Sequence, residues 1–242
     1  AFLQNEWKND RWGILIGGRL DKHNMVDNVI FSPRANLRFN PTQNINLRLS
    51  YSSGFRAPQA FDEDMHIENV GGTVAMIERA KDLKEEKSQS FSASADMYHR
   101  FGVFQTNFLI EGFYTRLTDV FVLGEPYDRG DGILVKTRSN GPGAKVMGLT
   151  LEGKVAYLSI LQIQAGLTLQ RSRYDEPHKW HDDAPAEKKI FRTPDTYGYF
   201  TATYTPIKPL SIALSGTYTG RMLVQRMDIT AENAELGAMP ER

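Results

Sequence analysis

The feature that most constrains this chain is strict alternation of apolar and polar residues, repeated along its length. In "NINLRLSY", Ile45, Leu47, Leu49 and Tyr51 fall on one side, while Asn44, Asn46, Arg48 and Ser50 fall on the other. "SFSASADMY" repeats the pattern, with Phe91, Ala93, Ala95 and Met97 opposed to Ser90, Ser92, Ser94 and Asp96, and so do "LTLEGKVAY", "IQAGLTLQ" and "LSIALSGTY". A period of two belongs to strands with one apolar and one polar face, and helical spacing accounts for none of these runs. The chain therefore reads as all-β and antiparallel, with about ten strands.

The connections between the runs come in two sizes that alternate. Short turns fall at Asn40–Asn44, Arg100–Gly102, Leu158–Leu161 and Thr205–Pro209, with the Asn, Gly and Pro chemistry of tight turns. Long polar loops fall at Asp21–Phe31, Phe55–Lys87, Gly124–Gly132 and Tyr174–Thr193. Short connections at one end and long ones at the other are how outer-membrane barrels are built, whereas a soluble β-sandwich has no reason to sort loop lengths by end. Phe104 to Leu123 lacks an internal turn and is expected to be a single strand of nearly twenty residues, projecting well beyond a bilayer that needs only about 9 to 11.

Charge and composition prune the alternatives. Lys plus Arg equals Asp plus Glu at 29 each, so no net field favours nucleic acid. The chain has no cysteine, which excludes disulfides and thiolate metal sites. No stretch reaches the roughly 18 consecutive apolar residues of a membrane helix, but barrel strands escape that test because half of each is polar. The polar faces carry Arg34, Asn36, Arg38, Arg48, Asp96, Asn107, Glu111, Glu152, Lys154 and Gln164, which fit either a solvated surface or a wide barrel lumen. Aromatic residues gather at strand ends: Trp7, Trp12, Phe39, Phe101 and Tyr204 toward the short turns, Tyr51, Phe121 and Tyr197 toward the long loops.

With the residues laid out this way, four segments in order resemble the barrel of TonB-dependent outer-membrane receptors. "LRLSYSSGFRAPQAFDEDMHI" (47–67) resembles the family's strand-to-loop box around Phe-Arg-Ala-Pro, and "KDLKEEKS" (81–88) the segment that re-enters the barrel. "GAKVMGLTLEG" (143–153) and "FRTPDTYGYFTATY" (191–204) resemble two later barrel strands. Ala80 to Leu83 departs from the family's Asn-Pro-Asn-Leu, and Thr150 stands where the family often has Glu. The resemblance implies one segment of a single transmembrane barrel, part of a probable 22 strands, with the plug domain, the TonB-contacting box and the final strands not represented in it. It implies residence in the bacterial outer membrane with the long loops extracellular, and energised uptake of a scarce bulky ligand such as a siderophore, haem or cobalamin complex. The implied partners are the TonB complex, acting through the plug, the ligand itself and outer-membrane lipid.

The candidate ligand-binding residues lie at the loop end. Gly54, Ala57 and Pro58 read as a stiff elbow that aims the loop, with Arg56 either part of that elbow or a ligand contact. Phe61, Asp64 and His66 follow in the loop. His66 lies between the first two family-like segments, where haem receptors of the family are said to place a histidine, and it fits iron ligation or simple packing between Met65 and Ile67. In "DEPHKWHDD" (175–183), His178 and His181 are spaced for a metal and Trp180 for stacking on a chelate, against a plainly solvated loop tip. No Ser, His and carboxylate grouping stands in a nucleophile setting and no glycine-rich phosphate loop is present, so no enzyme and no cofactor is expected. A passive porin, a glycan-uptake receptor, a barrel hydrolase and a soluble sandwich module remain the competing readings.

Overall fold

In the computed structural model the described residues are 1–26, 28–58, 75–124, 127–130, 134–179, 185–227 and 234–238. The strands in chain order are β1 (Phe2–Lys8), β2 (Trp12–Asp21), β3 (Ile30–Thr42), β4 (Ile45–Arg56), β5 (Ala75–Arg79), β6 (Glu86–Phe101), β7 (Phe104–Thr118), β8 (Phe121–Leu123), β9 (Tyr127–Asp128), β10 (Leu134–Asn140), β11 (Ala144–Tyr157), β12 (Leu161–His178), β13 (Glu187–Lys189), β14 (Thr196–Ile207), β15 (Leu210–Thr219), β16 (Leu223–Met227) and β17 (Ala234–Ala238). Ten of them form one antiparallel meander, β1-β2-β3-β4-β6-β7-β11-β12-β14-β15, with β13 added beside the end of β12. The expected count of about ten wall strands holds, as do the four short turns, which link β3 to β4, β6 to β7, β11 to β12 and β14 to β15.

The register carries the alternation across the whole sheet. One continuous row runs Leu37, Leu49, Ala93, Gly112, Leu149 and Leu169 on the apolar face. Next to it, Asn36, Ser50 and Ser92 line up on the polar face. That polar face is knit by side chains: Ser90 to Thr115 at 2.9 Å, Thr150 to Thr168 at 3.0 Å, and Gln164 Nε2 donating to the Tyr199 hydroxyl at 2.8 Å. Asn107 donates to Asp96, and Arg34 to Gln4. Glycines on this face make room for neighbouring rings: a Cβ on Gly166 would come within 2.5 Å of the Tyr199 ring.

The apolar face is bare. Leu49 is 55% exposed, Phe91 49% and Leu214 63%, and water would charge about 25 cal/mol for each such Å². A belt of aromatic residues closes the band at the short-turn end, where Trp12 stacks on Phe39 at 4.2 Å and Phe104 meets Tyr157 at 5.0 Å. At the loop end the belt is the row Tyr51, Phe91 and Tyr114. Tyr197 pairs with Thr168 on the polar side and Phe121 belongs to β8, so neither sits in the belt that the sequence assigned them to. Phe104 and Tyr114 are ten residues apart, as are their register partners Tyr157 and Met147. At about 3.3 Å per residue and a tilt of about 40°, the band is about 25 Å high, the height of a barrel's lipid-facing zone.

Two expectations about the loop end are corrected. Phe104 to Leu123 is not one long strand: Asp119 adopts φ 55°, a left-handed conformation, and breaks the run after β7. The longest strand is instead β12, 18 residues, which carries His178 at its end rather than in a free loop. The long connections are also not simply polar loops. Parts of 75–79, 121–123, 127–128 and 134–140 assemble a four-stranded sheet, β5-β10-β8 with β9 on β10, and β5 runs parallel to β10. The most buried residues sit here or on the adjoining strands: Val135 and Ala144 at 0% exposure and Ser172 at 2%.

Candidate functional site

The loop end of the sheet is where chemistry-bearing side chains converge. β4 ends at Arg56, on its polar face, opposite Glu86 at the start of β6. The Arg56 Nη2 donates to Glu86 Oε2 at 2.9 Å, and the same oxygen accepts the Phe121 backbone N–H at 3.0 Å. The Arg56 guanidinium also lies over the Phe121 ring, 4.8 Å from its centroid. Arg56 therefore clamps the strand end, the re-entering segment and β8 of the loop sheet together. The elbow expected at Gly54 is corrected: β4 runs without a register shift through Gly54 and Phe55 to Arg56, and the chain leaves the strand only at Ala57 and Pro58, both buried.

Asn140 makes a second clamp, which the sequence reading missed. Its Oδ1 accepts the Lys84 N–H at 2.8 Å, and its Nδ2 donates to the Lys84 carbonyl at 3.1 Å and the Asp119 carbonyl at 2.8 Å. One side chain thus satisfies three backbone groups from two connections that end near each other only in the fold. The Asn-Gly-Pro-Gly run at 140–143 signals a turn, but nothing local points to Lys84. Glu86 was equally hidden within "KDLKEEKS". Beside it, burial opposes the charge on Glu85, yet hydrogen bonds from its own backbone N–H and from Lys87, with the Lys87 and Lys84 charges, outweigh that and hold its carboxyl below the ordinary value.

Four strands along the wall, the long end of β12 projects with His178 opposite Glu187 of β13 and its ring 5.7 Å from Tyr174. Gln170 binds the "FRTPDTYGYF" segment twice, its backbone N–H to the Asp195 carbonyl at 2.7 Å and its Nε2 to the Pro194 carbonyl at 2.9 Å. Phe61, Asp64, His66, Trp180 and His181 lie outside the described residues. Of the candidate residues, only Arg56 and His178 are therefore placed, at the loop ends of β4 and β12, four strands apart. Among the described residues, no three His, Cys, Asp or Glu side chains gather as a metal site.

A ten-stranded antiparallel wall with a bare apolar band about 25 Å high, a polar opposite face and elaborated connections at one end defines part of a transmembrane β-barrel. Residues 1–235 match the family model described as TonB dependent receptor-like, beta-barrel. The chain belongs to that family. A comparison with curated proteins found none that matches. Solved structures with the same fold include the FrpB iron transporter of Neisseria meningitidis (F3-3 variant), 16% identical with a TM-score of 0.69, over 100% of this chain and 36% of that one. The siderophore receptor PirA of Acinetobacter baumannii is 14% identical with a TM-score of 0.68, over 100% and 37%. The pyoverdine outer membrane receptor FpvA of Pseudomonas aeruginosa PAO1, solved bound to pyoverdine, is 14% identical with a TM-score of 0.68, over 99% and 33%. The chain thus spans about a third of the length of these structures, and at such identities the likeness is one of fold.

Proposed function

We propose that this chain forms part of the wall and rim of an outer-membrane receptor that takes up a scarce, bulky ligand, a metal chelate such as a siderophore, haem or cobalamin complex. In this reading the long-loop end faces outward, and the TonB complex supplies energy through a plug domain inside the barrel. The observation that carries it is the loop end itself. The connections there fold into their own sheet, held to the wall by Arg56, Glu86 and Asn140, whereas a passive pore needs no built rim. That the structures alike in fold include an iron transporter, a siderophore receptor and a pyoverdine receptor supports a metal chelate over a glycan. Arg56 serves this rim as a positioning residue; Phe61, Asp64, His66, Trp180, His178 and His181 are the side chains proposed to meet the ligand.

The test is growth. A strain lacking the intact gene, and separately one lacking the energising partner, is supplied with iron only as ferric siderophore or haem, or with cobalamin or glycan as the sole limiting nutrient. Loss of growth on one metal chelate in both strains is expected. Growth that survives both deletions on every ligand refutes active uptake, and loss confined to a glycan transfers the assignment to that substrate class.

A further inference from the structure

We propose that the outward face of the barrel, just above its apolar band, holds a binding site for the phosphorylated headgroup of an outer-leaflet lipid, formed by Lys145, Arg171 and Arg173 with Lys188 at its edge. The inference rests on the outward orientation proposed for the loop end.

The register brings these residues together. Immediately above the belt row Tyr51, Phe91, Tyr114, Met147 and Arg171, the next outward row reads Ser53, Gln89, Arg116, Lys145, Arg173 and Lys189. Four cations thus stand side by side on neighbouring strands, an arrangement that destabilises a sheet unless anions offset it. Asp175 answers Arg116 through a two-pronged pair with contacts at 2.7 and 2.6 Å, and Asp195 answers Lys189 at 2.6 Å. Among the described residues, none pairs with Lys145, Arg171 or Arg173. Arg173 buries its Nε with no hydrogen-bond partner, the kind of group that calls for an explanation.

The three line a cleft of about 500 Å³ together with Met147, Tyr174, Asp175 and Lys188, the Asp175 carboxylate being the one already held by Arg116. Lys188 Nζ is held near it by the Asp175 carbonyl at 2.9 Å. Below the cleft the same face continues as Leu149 and Leu169, bare to the membrane. A ligand with a doubly charged head and hydrocarbon beneath it fits both parts, and Arg pairs with phosphate through two parallel donors. General snorkelling of Lys and Arg at a membrane surface would spread around the wall. Here the same row carries Gln89 two strands and Ser53 three strands from Lys145, so the charge is local.

The test uses the intact receptor in nanodiscs of phosphatidylcholine, titrated with diphosphoryl lipid A, with its dephosphorylated counterpart and with inorganic phosphate, and read by native mass spectrometry. The triple variant Lys145→Gln, Arg171→Gln, Arg173→Gln is expected to bind lipid A roughly a hundredfold more weakly, about 2.8 kcal/mol at 1.4 kcal/mol per tenfold. Removing equal charge at the short-turn end, with Arg11→Gln, Arg100→Gln and Lys208→Gln, is expected to change nothing. Arg171→Lys with Arg173→Lys retains binding, which separates lost charge from lost folding. Equal loss in the short-turn variant, equal binding of the dephosphorylated lipid, or inorganic phosphate binding as tightly as lipid A overturns the site. An inserted receptor without lipid preference sinks the site alone, whereas failure to insert sinks the barrel reading under it.

Discussion

Ile110 and Glu111 are neighbours on β7, both half-buried, and they differ only in which solvent meets them. Ile110 points into the apolar band, six residues from Phe104 and four from Tyr114. With about 3.3 Å per residue and a tilt of about 40°, that places it about 15 Å and about 10 Å from the two belts, close to mid-membrane. Arginine at the midplane of a barrel's lipid face costs about 2–4 kcal/mol, falling to about 0–1 near the interfaces. Ile110→Arg is therefore expected to cost about 3 kcal/mol. Glu111→Arg, one residue on, faces the polar side opposite Ser94 and Thr150, where a long cation reaches water, and is expected to cost under about 1 kcal/mol. The assay is reversible denaturant unfolding of the intact receptor in phospholipid vesicles, with folding read from heat-modifiable gel migration. Equal costs for the two variants, or a larger one for Glu111→Arg, would refute the assignment of faces on which the membrane reading depends.

Glu86→Gln should loosen the rim by about 1–2 kcal/mol, discounted for the partial exposure of Arg56; limited proteolysis of the intact receptor should cut the 57–85 connection faster, and an unchanged cleavage rate would remove Glu86 from the clamp. Asn140→Ala frees the Lys84 and Asp119 backbone groups and should cost about 1–3 kcal/mol, read as faster hydrogen exchange at Lys84 than at mid-wall residues. Because the Glu85 carboxyl is held low, its contribution is fully present above the ordinary carboxylate value of 4.5 and is lost as pH falls through the lower folded value. Exchange in 81–87 should accelerate over that acid window in the parent and not in Glu85→Gln. Gly148→Val should cost about 1–3 kcal/mol by overpacking, since even a Cβ there meets the Leu169 carbonyl and the Phe113 ring at 2.6 Å; a thermal midpoint equal to the parent's would show that the ring moves aside freely.

The wall was legible because its information is local. Period-2 alternation needs no partner to be read, and "NINLRLSY" and "SFSASADMY" state their faces before any pairing is known. Tight-turn chemistry then fixes which neighbours pair, so a meander follows from sequence order alone. The polar and apolar faces and the short-turn aromatic belt were determined in this way, and the four family-like segments named the fold; the expected elbow at Gly54 was not, because β4 stays paired with β6 as far as Arg56. What the sequence could not state is anything that depends on residues far apart in the chain. The parallel pairing of 75–79 with 134–138, the three hydrogen bonds of Asn140 and the attachment of Phe121 to Glu86 each tie a short loop-end segment, too brief to show a period, to residues far off in the chain. Register was equally out of reach: a shift of one residue exchanges faces, and only the pairing shows that Tyr197 faces the polar side and that Lys145, Arg171 and Arg173 stand together. Strand order came from local pattern; the rim and its charges came from which distant strands the fold made neighbours.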